Sequence, residues 1–239
     1  MLAAGILLFL PHAYAERAPV PAELEELADV VMANQSSREV QSSAEAAERA
    51  ISAIPDPLSR NLHDAQRLFL LGFEAIGRGA TEEGERLVED AMAAAEASLD
   101  LEETSEGYRI LADGYNQLLK VRGRGYQLLH FRTARFTADQ AVKLDRRNPL
   151  AHVSAASYYL SAPGIAGGDV RRGLEHVEAA ARLRGENRYV SFLVAVWAAR
   201  GAAQTGSRES ARRSLANAAE IYPDNWWLAE VSRELGIAL

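Results

Sequence analysis

The stretch YRILADGY, residues 108 to 115, sets Tyr108, Leu111, Ala112 and Tyr115 at offsets of three, four and seven, which is one stripe of a 3.6-residue helix. A small residue among bulky ones lets a second helix approach closely while the larger side chains close around it. The stripe therefore predicts a short antiparallel partner helix. That partner follows in YQLLHFRTARFTADQAVKLDRRNP, where Ala134, Ala138 and Ala141 form the notched face and the helix stops at Leu144, before Asn148-Pro149. The same two-part unit recurs along the chain. His152, Ala155, Ala156 and Tyr159 pair with Gly173, Val177 and Ala180. Ser191, Val194, Ala195 and Ala198 pair with Ala211, Leu215 and Ala218, which end at Pro223. Upstream, Leu68, Leu71, Gly72 and Ala75 lead through a turn at Gly79 to Gly84, Val88 and Ala91. The weakest copy has Leu27, Val30 and Asn34, then Ala47 and Ala50 before Pro55. About five units over 24–223, with a closing helix over 225–236 that begins at Trp226 and Trp227, make one helical domain over 16–239. Such a stack is all-α, each hairpin burying its apolar face against its neighbours in the series.

No Val/Ile/Thr alternation long enough for a strand interrupts the pattern, and 48% apolar residues in 239 suffice for a continuous core. The absence of cysteine excludes disulfides, thiolate chemistry and cysteine zinc sites. His12, His63, His130, His152 and His176 form no H-E-x-x-H and no i, i+4 pair, so no metal site is expected; His152 and His176 lie on paired helices and can meet. Nucleophile motifs such as G-x-S-x-G are missing, and the adjacent carboxylates Glu82-Glu83 and Glu102-Glu103 diverge on a helix. Neither an enzyme nor a cofactor is expected. Charge is split: residues 16–107 carry 7 Arg against 21 Asp and Glu, net −14, while residues 108–239 carry 19 Lys and Arg against 12 Asp and Glu, net +7. That asymmetry points to head-to-tail contact between copies or to a partner on one half. The basic residues are interleaved with acids and lack an aromatic strip, which argues against nucleic acid.

At the start, MLAAGILLFLPHAYAERAPV has an apolar run from Leu2 to Leu10 and the small residues Ala13 and Ala15 before Glu16, the outline of a signal peptide cleaved between Ala15 and Glu16. The run is too short to span a bilayer. A periplasmic or secreted protein without stable membrane insertion is the expectation. The loop SAPGIAGGDVRRG, Ser161 to Gly173, reads as a turn: Gly167-Gly168 permits positive backbone dihedrals and Asp169 caps the helix that follows.

The recurring units resemble the tetratricopeptide repeat, with its W-x2-L-G-x2-Y first helix and A-x3-F-x2-A second helix, and Leu71-Gly72 stands at the Leu-Gly position. The unit over 65–98 fits without a gap. The longer intervals Tyr115–Ala134, Tyr159–Gly173 and Ala198–Ala211 imply hairpins lengthened by a turn or more. The resemblance implies a right-handed α-solenoid that binds a protein or peptide partner on the concave wall formed by its first helices. Mapped onto matching positions, that wall comprises Phe69, Phe73 and Ile76; Arg109, Asp113 and Asn116; Val153, Ser157 and Leu160; and Phe192, Val196 and Ala199. The lining is largely apolar with a polar middle, suited to an amphipathic helix or an extended peptide. A reversed charge at Arg109 is then expected to alter binding and spare the fold. The loop and leader together are similar to exported repeat proteins such as the accessory T-component of TRAP-type solute transporters, which implies a second role: holding a small hydrophobic ligand for an uptake system.

Overall fold

The structure, a computed structural model, describes residues 18–239; the leader and its Ala15/Glu16 junction lie outside the described residues. The described chain folds into five helical hairpins and a final helix. They are α1 (Ala22–Met32) with α2 (Ser37–Ser52), α3 (Pro57–Gly77) with α4 (Thr81–Leu99), α5 (Ser105–Val121) with α6 (Arg124–Leu144), α7 (Pro149–Ser161) with α8 (Val170–Leu183), α9 (Arg188–Gln204) with α10 (Arg208–Ile221), and α11 (Trp226–Leu235). No strand occurs among the described residues.

Local chemistry sets the boundaries. The first helices of units two to five start at side-chain caps: Asp56, Thr104, Asn148 and Asn187 each accept a bond from the first turn, and Pro57 and Pro149 occupy the first helical positions, where a missing N–H costs nothing. Ser36 and Glu39 form a reciprocal capping box at α2. Gly79 turns α3 into α4 at φ +89°, a conformation that penalises any Cβ. Within that hairpin the notches work as close approaches: a Cβ on Gly84 would lie 2.8 Å from the Gly72 carbonyl oxygen.

One expectation about the hairpins is met and another changes. The extra residues between Tyr115 and Ala134 lengthen the helices, leaving Arg122 and Gly123 as the turn. Arg122 fixes this turn by binding Glu85 at 2.6 Å and Glu89 at 2.8 Å on α4. The stripe on α5 also divides: Tyr108 meets Phe136 edge-on, Tyr115 stacks on His130, and Ala112 packs with Ala134 and Ala138, whereas Leu111 turns into the core shared with α3 and α4. In the first unit Asn34 is a turn residue at φ +54°, and Val40, Ala44, Ala47 and Ile51 make the buried face of α2.

The largest departure concerns the ends. In an open stack each unit meets only the units next to it in sequence. Here the first helices pack in the cyclic order α1, α3, α5, α7, α9 and back to α1. The main apolar core accordingly joins Leu24, Leu27, Val31 and Met32 of the first unit to Phe192, Val196, Trp227 and Leu228 at the other end. Polar contacts seal the seam: Tyr222 donates to Asp29, Arg188 lies 3.7 Å from Asp29, and the Asn225 amide donates to the Met32 carbonyl at 2.7 Å. Part of the charge asymmetry is thus answered within one chain, where an acid of the first unit meets a base of the last. Among the described residues no helix is long and apolar enough to cross a membrane.

Candidate functional site

Because α1, α3, α5, α7 and α9 all run the same way round the ring, their inner faces enclose a lumen with an N-terminal and a C-terminal mouth. Toward the C-terminal ends lies a groove of about 560 Å³; toward the N-terminal ends lies a second cavity of about 460 Å³. Leu150 and Tyr189 line both and so form the partition between them.

Beside the partition sits a buried polar network. Arg109, 2% exposed, donates to Glu106 at 2.7 Å, to Asp113 at 2.8 Å and to Gln66 at 2.5 Å. Ser154 of α7 donates to Asp113 at 2.5 Å, and Asn148 donates to Glu106 at 2.5 Å. Burial pushes the Asp113 carboxyl up and the Arg109 guanidinium draws it back, with the net direction upward. Burial, then the nearby Asp113, raises the Tyr189 phenol. The network ties three inner helices together at the floor of the groove.

The expected concave residues divide into two groups. Phe69, Phe73, Asp113, Asn116, Val153, Ser157 and Leu160 line the groove. The others do not. Arg109 belongs to the buried network and lines the second cavity. Ile76 packs into the α3–α4 interface, where its Cγ1 lies 2.5 Å from the place of a Cβ on Gly84. Phe192 and Val196 are fully buried, Phe192 meeting Tyr222 and Trp227 edge-on, and Ala199 is buried as well. On α9 the groove is lined instead by Tyr189, Leu193, Trp197, Arg200 and Gln204, a stripe shifted by one residue. Sequence reasoning also missed Met32, Gln117, Lys120, Gln127, Phe131, Trp227 and Glu234.

The groove is chemically mixed. Phe73 packs 4.8 Å from Trp226 and 6.1 Å from Trp227, and Trp197 lies 5.6 Å from Trp227, giving one aromatic wall. Beside it are carboxamides held by their nitrogens: Asn116 donates to the Ser154 carbonyl at 3.1 Å, Gln127 to the Leu119 carbonyl at 2.8 Å and Gln204 to the Leu160 carbonyl at 2.7 Å. Their amide oxygens are what they offer an occupant. At the rim, Lys120 binds Glu230 at 2.5 Å and Arg200 binds Glu234, tying α5 and α9 to α11. Among the described residues three buried side-chain N–H groups have no hydrogen-bond partner: Gln117 Nε2 and Arg200 Nε, on residues that line the groove, and Trp226 Nε1, which lies against Gly77 of α3.

Elsewhere, the His152 and His176 Nδ1 atoms meet at 2.9 Å, and His152 Nε2 lies 3.1 Å from the Arg146 carbonyl oxygen. Among the described residues no three His, Asp or Glu side chains converge for a metal ion. In the Ser161–Gly173 loop Asp169 caps α8 through the Arg172 N–H at 3.1 Å, and of the two glycines only Gly167 takes a positive φ.

No family model matches the chain, and no curated protein matches it either. Solved structures do. TTC0263, a thermophilic TPR protein of Thermus thermophilus, is 15% identical, with a TM-score of 0.54, covering 89% of this chain and 98% of its own. YrrB, described as a TPR protein with an unusual peptide-binding site, is 17% identical, with a TM-score of 0.39, covering 90% of this chain and 100% of its own. The hairpin geometry and the likeness to TTC0263 together make this a helical-repeat protein of the tetratricopeptide-repeat fold.

Proposed function

We propose that the protein is an exported, non-catalytic scaffold that holds an extended segment of a protein partner in the groove of its inner helices. The observation that carries this reading is the lining itself: nitrogen-anchored carboxamides of Asn116, Gln127 and Gln204 beside an aromatic wall offer bonds to a backbone and apolar seats for alternate side chains. The ring favours an extended occupant over a helical one. Five helices spaced about 8–10 Å apart put their axes about 7–8.5 Å from the centre, at or below the spacing of about 8–10 Å at which helices pack, so a central helix is crowded on every side. The test is co-purification with the native host's envelope proteins followed by native mass spectrometry. A stoichiometric partner lost on Ser157→Trp, which narrows the groove, supports the reading; a partner retained at unchanged affinity by that variant refutes the groove as its seat. The same spectra report self-association, for which α6 offers Leu128 and Leu129 at 80% and 77% exposure. N-terminal sequencing of the exported form reads the processing site, expected between Ala15 and Glu16.

Ring closure favours a second reading. A groove of about 560 Å³ lined entirely by its own chain has the size of a small-molecule site. Under this reading the protein is an accessory ligand-holding component of a solute uptake system. Native spectra then carry a small adduct in place of a protein partner.

A further inference from the structure

On the outside of the ring, α6 presents a face that the described residues leave open. Leu128 and Leu129 are 80% and 77% exposed, and Arg132 and Phe136 follow Leu128 at offsets of four and eight, on the same side of the helix. Beside α6 projects the loop between α7 and α8, whose Ile165 is 100% exposed. The loop is held in place: the Tyr158 hydroxyl donates to the Ala166 carbonyl at 2.5 Å, and Arg135 Nη1 of α6 lies 2.8 Å from the place of a Cβ on Gly167. Leu128 and Leu129 stand early in α6, just after α5 ends, and the loop follows the end of α7, so all three apolar side chains stand toward the C-terminal ends of the inner helices.

The same face is basic. Arg124, Arg132 and Arg135 are exposed, and none of them makes an ion pair among the described residues. The one acid of α6, Asp139, is engaged elsewhere, by the Tyr159 hydroxyl at 2.6 Å and by Arg172 at 3.6 Å. Exposed leucine and phenylalanine among unpaired arginines make the composition of a helix that lies along a lipid–water boundary. We infer that α6 and the Ile165 loop dock the protein on an anionic phospholipid surface, with Leu128, Leu129 and Ile165 entering the headgroup layer and Arg124, Arg132 and Arg135 binding lipid phosphates.

Shape and charge both favour a bilayer over a protein. The apolar side chains project singly from a convex helix and a loop tip, which soft lipid can envelop and a rigid partner meets only with a matching hollow. A second copy docking by the same face sets the three arginines of one against those of the other. An anionic surface instead attracts residues 108–239, net +7, which hold this face, and repels residues 16–107, net −14, so the charge division orients the protein on the membrane.

The chain from Glu16 onward holds every described residue and lacks the apolar run of the leader, which would bind lipid by itself. It is sedimented with sucrose-loaded vesicles of phosphatidylcholine alone and of an equimolar mixture of phosphatidylcholine and phosphatidylglycerol. Binding to the mixed vesicles is expected to be about tenfold or more tighter than to phosphatidylcholine, and to weaken from about 0.1 M to about 1 M salt as the screening length falls from about 10 Å to about 3 Å. Arg132→Gln with Arg135→Gln should weaken it about tenfold to thirtyfold, and Leu128→Ser with Leu129→Ser about tenfold or more. These side chains are exposed, so the thermal midpoints of both variants should match that of the parent. Equal binding to the two kinds of vesicle, binding to neither, or binding indifferent to both pairs of substitutions overturns the inference. So does self-association in sedimentation velocity that Leu128→Ser with Leu129→Ser abolishes while the parent ignores the vesicles, a result that assigns the face to a second copy.

Discussion

Replacing Arg109 by methionine should destabilise the protein severely. The guanidinium is 2% exposed and holds three partners, so its removal leaves Asp113, itself 19% exposed, buried with only Ser154 to bond it. Glu106, at 37% exposure, is reached by water and suffers less. Breaking one side of a buried pair costs about 3–5 kcal/mol, because the remaining charge is stranded. For a chain of this size that amounts to about 6–20 °C in Tm. The loss should be pH-dependent in a definite sense. Asp113, already raised by burial, rises further without Arg109 and takes up a proton on folding, so the Arg109→Met penalty shrinks as the pH falls. Arg109→Met combined with Asp113→Asn removes both charges and should recover much of the loss, the non-additivity expected of contacting residues. Urea unfolding at pH 7 and pH 5, with m compared across variants, measures all of this. A loss under about 1 kcal/mol for Arg109→Met, or no recovery in the double variant, would refute the network as a structural element.

Ala112 is fully buried against Ala134 and Ala138, so Ala112→Trp should cost about 1–3 kcal/mol or more; unchanged urea unfolding would mean the notch is not a contact. Burial first, then His152 and Arg172, lowers the His176 pKa to about 4. An unfolded histidine takes its proton near pH 6.5, whereas this one resists until about pH 4. The stability is therefore unaffected above pH 6.5 and is lost as the pH falls toward 4, by about 3 kcal/mol at most. His176→Gln should flatten that slope in unfolding midpoints taken between pH 7 and pH 4, with His63, also lowered by burial, supplying the residual slope of the same sign.

The hairpins were legible because their signal is local. Alanine and glycine at helical spacing mark where two neighbouring helices touch, and Gly72 against Gly84 or Ala112 against Ala134 and Ala138 are such contacts. The groove was legible in units two to four, where α3, α5 and α7 place Phe73, Asn116 and Ser157 on the inner face. It slipped by one residue in α9 because SFLVAVWAARGAA is apolar on almost every side and gives periodicity no contrast. Arg109 read as a surface charge although Glu106 and Asp113, three residues before and four after, carried the sign of an internal ion-pair cluster. Ring closure left no trace in the repeat pattern. It depends on Tyr222 with Asp29 and on Asn225 with Met32, pairs 193 residues apart, and no spacing rule links them.

The enclosed groove exists only if that seam is closed. The chain has no cysteine, so spin labels placed at Gln35→Cys and Asp224→Cys, both exposed, report one distance across the seam by pulsed electron resonance. A closed ring predicts a single narrow distribution under about 25 Å, since the helices on either side of the seam are packed at about 8–10 Å. An open stack separates the first and fifth units by four helix spacings, and a distribution centred near 40 Å would contradict the closure and, with it, the enclosed groove.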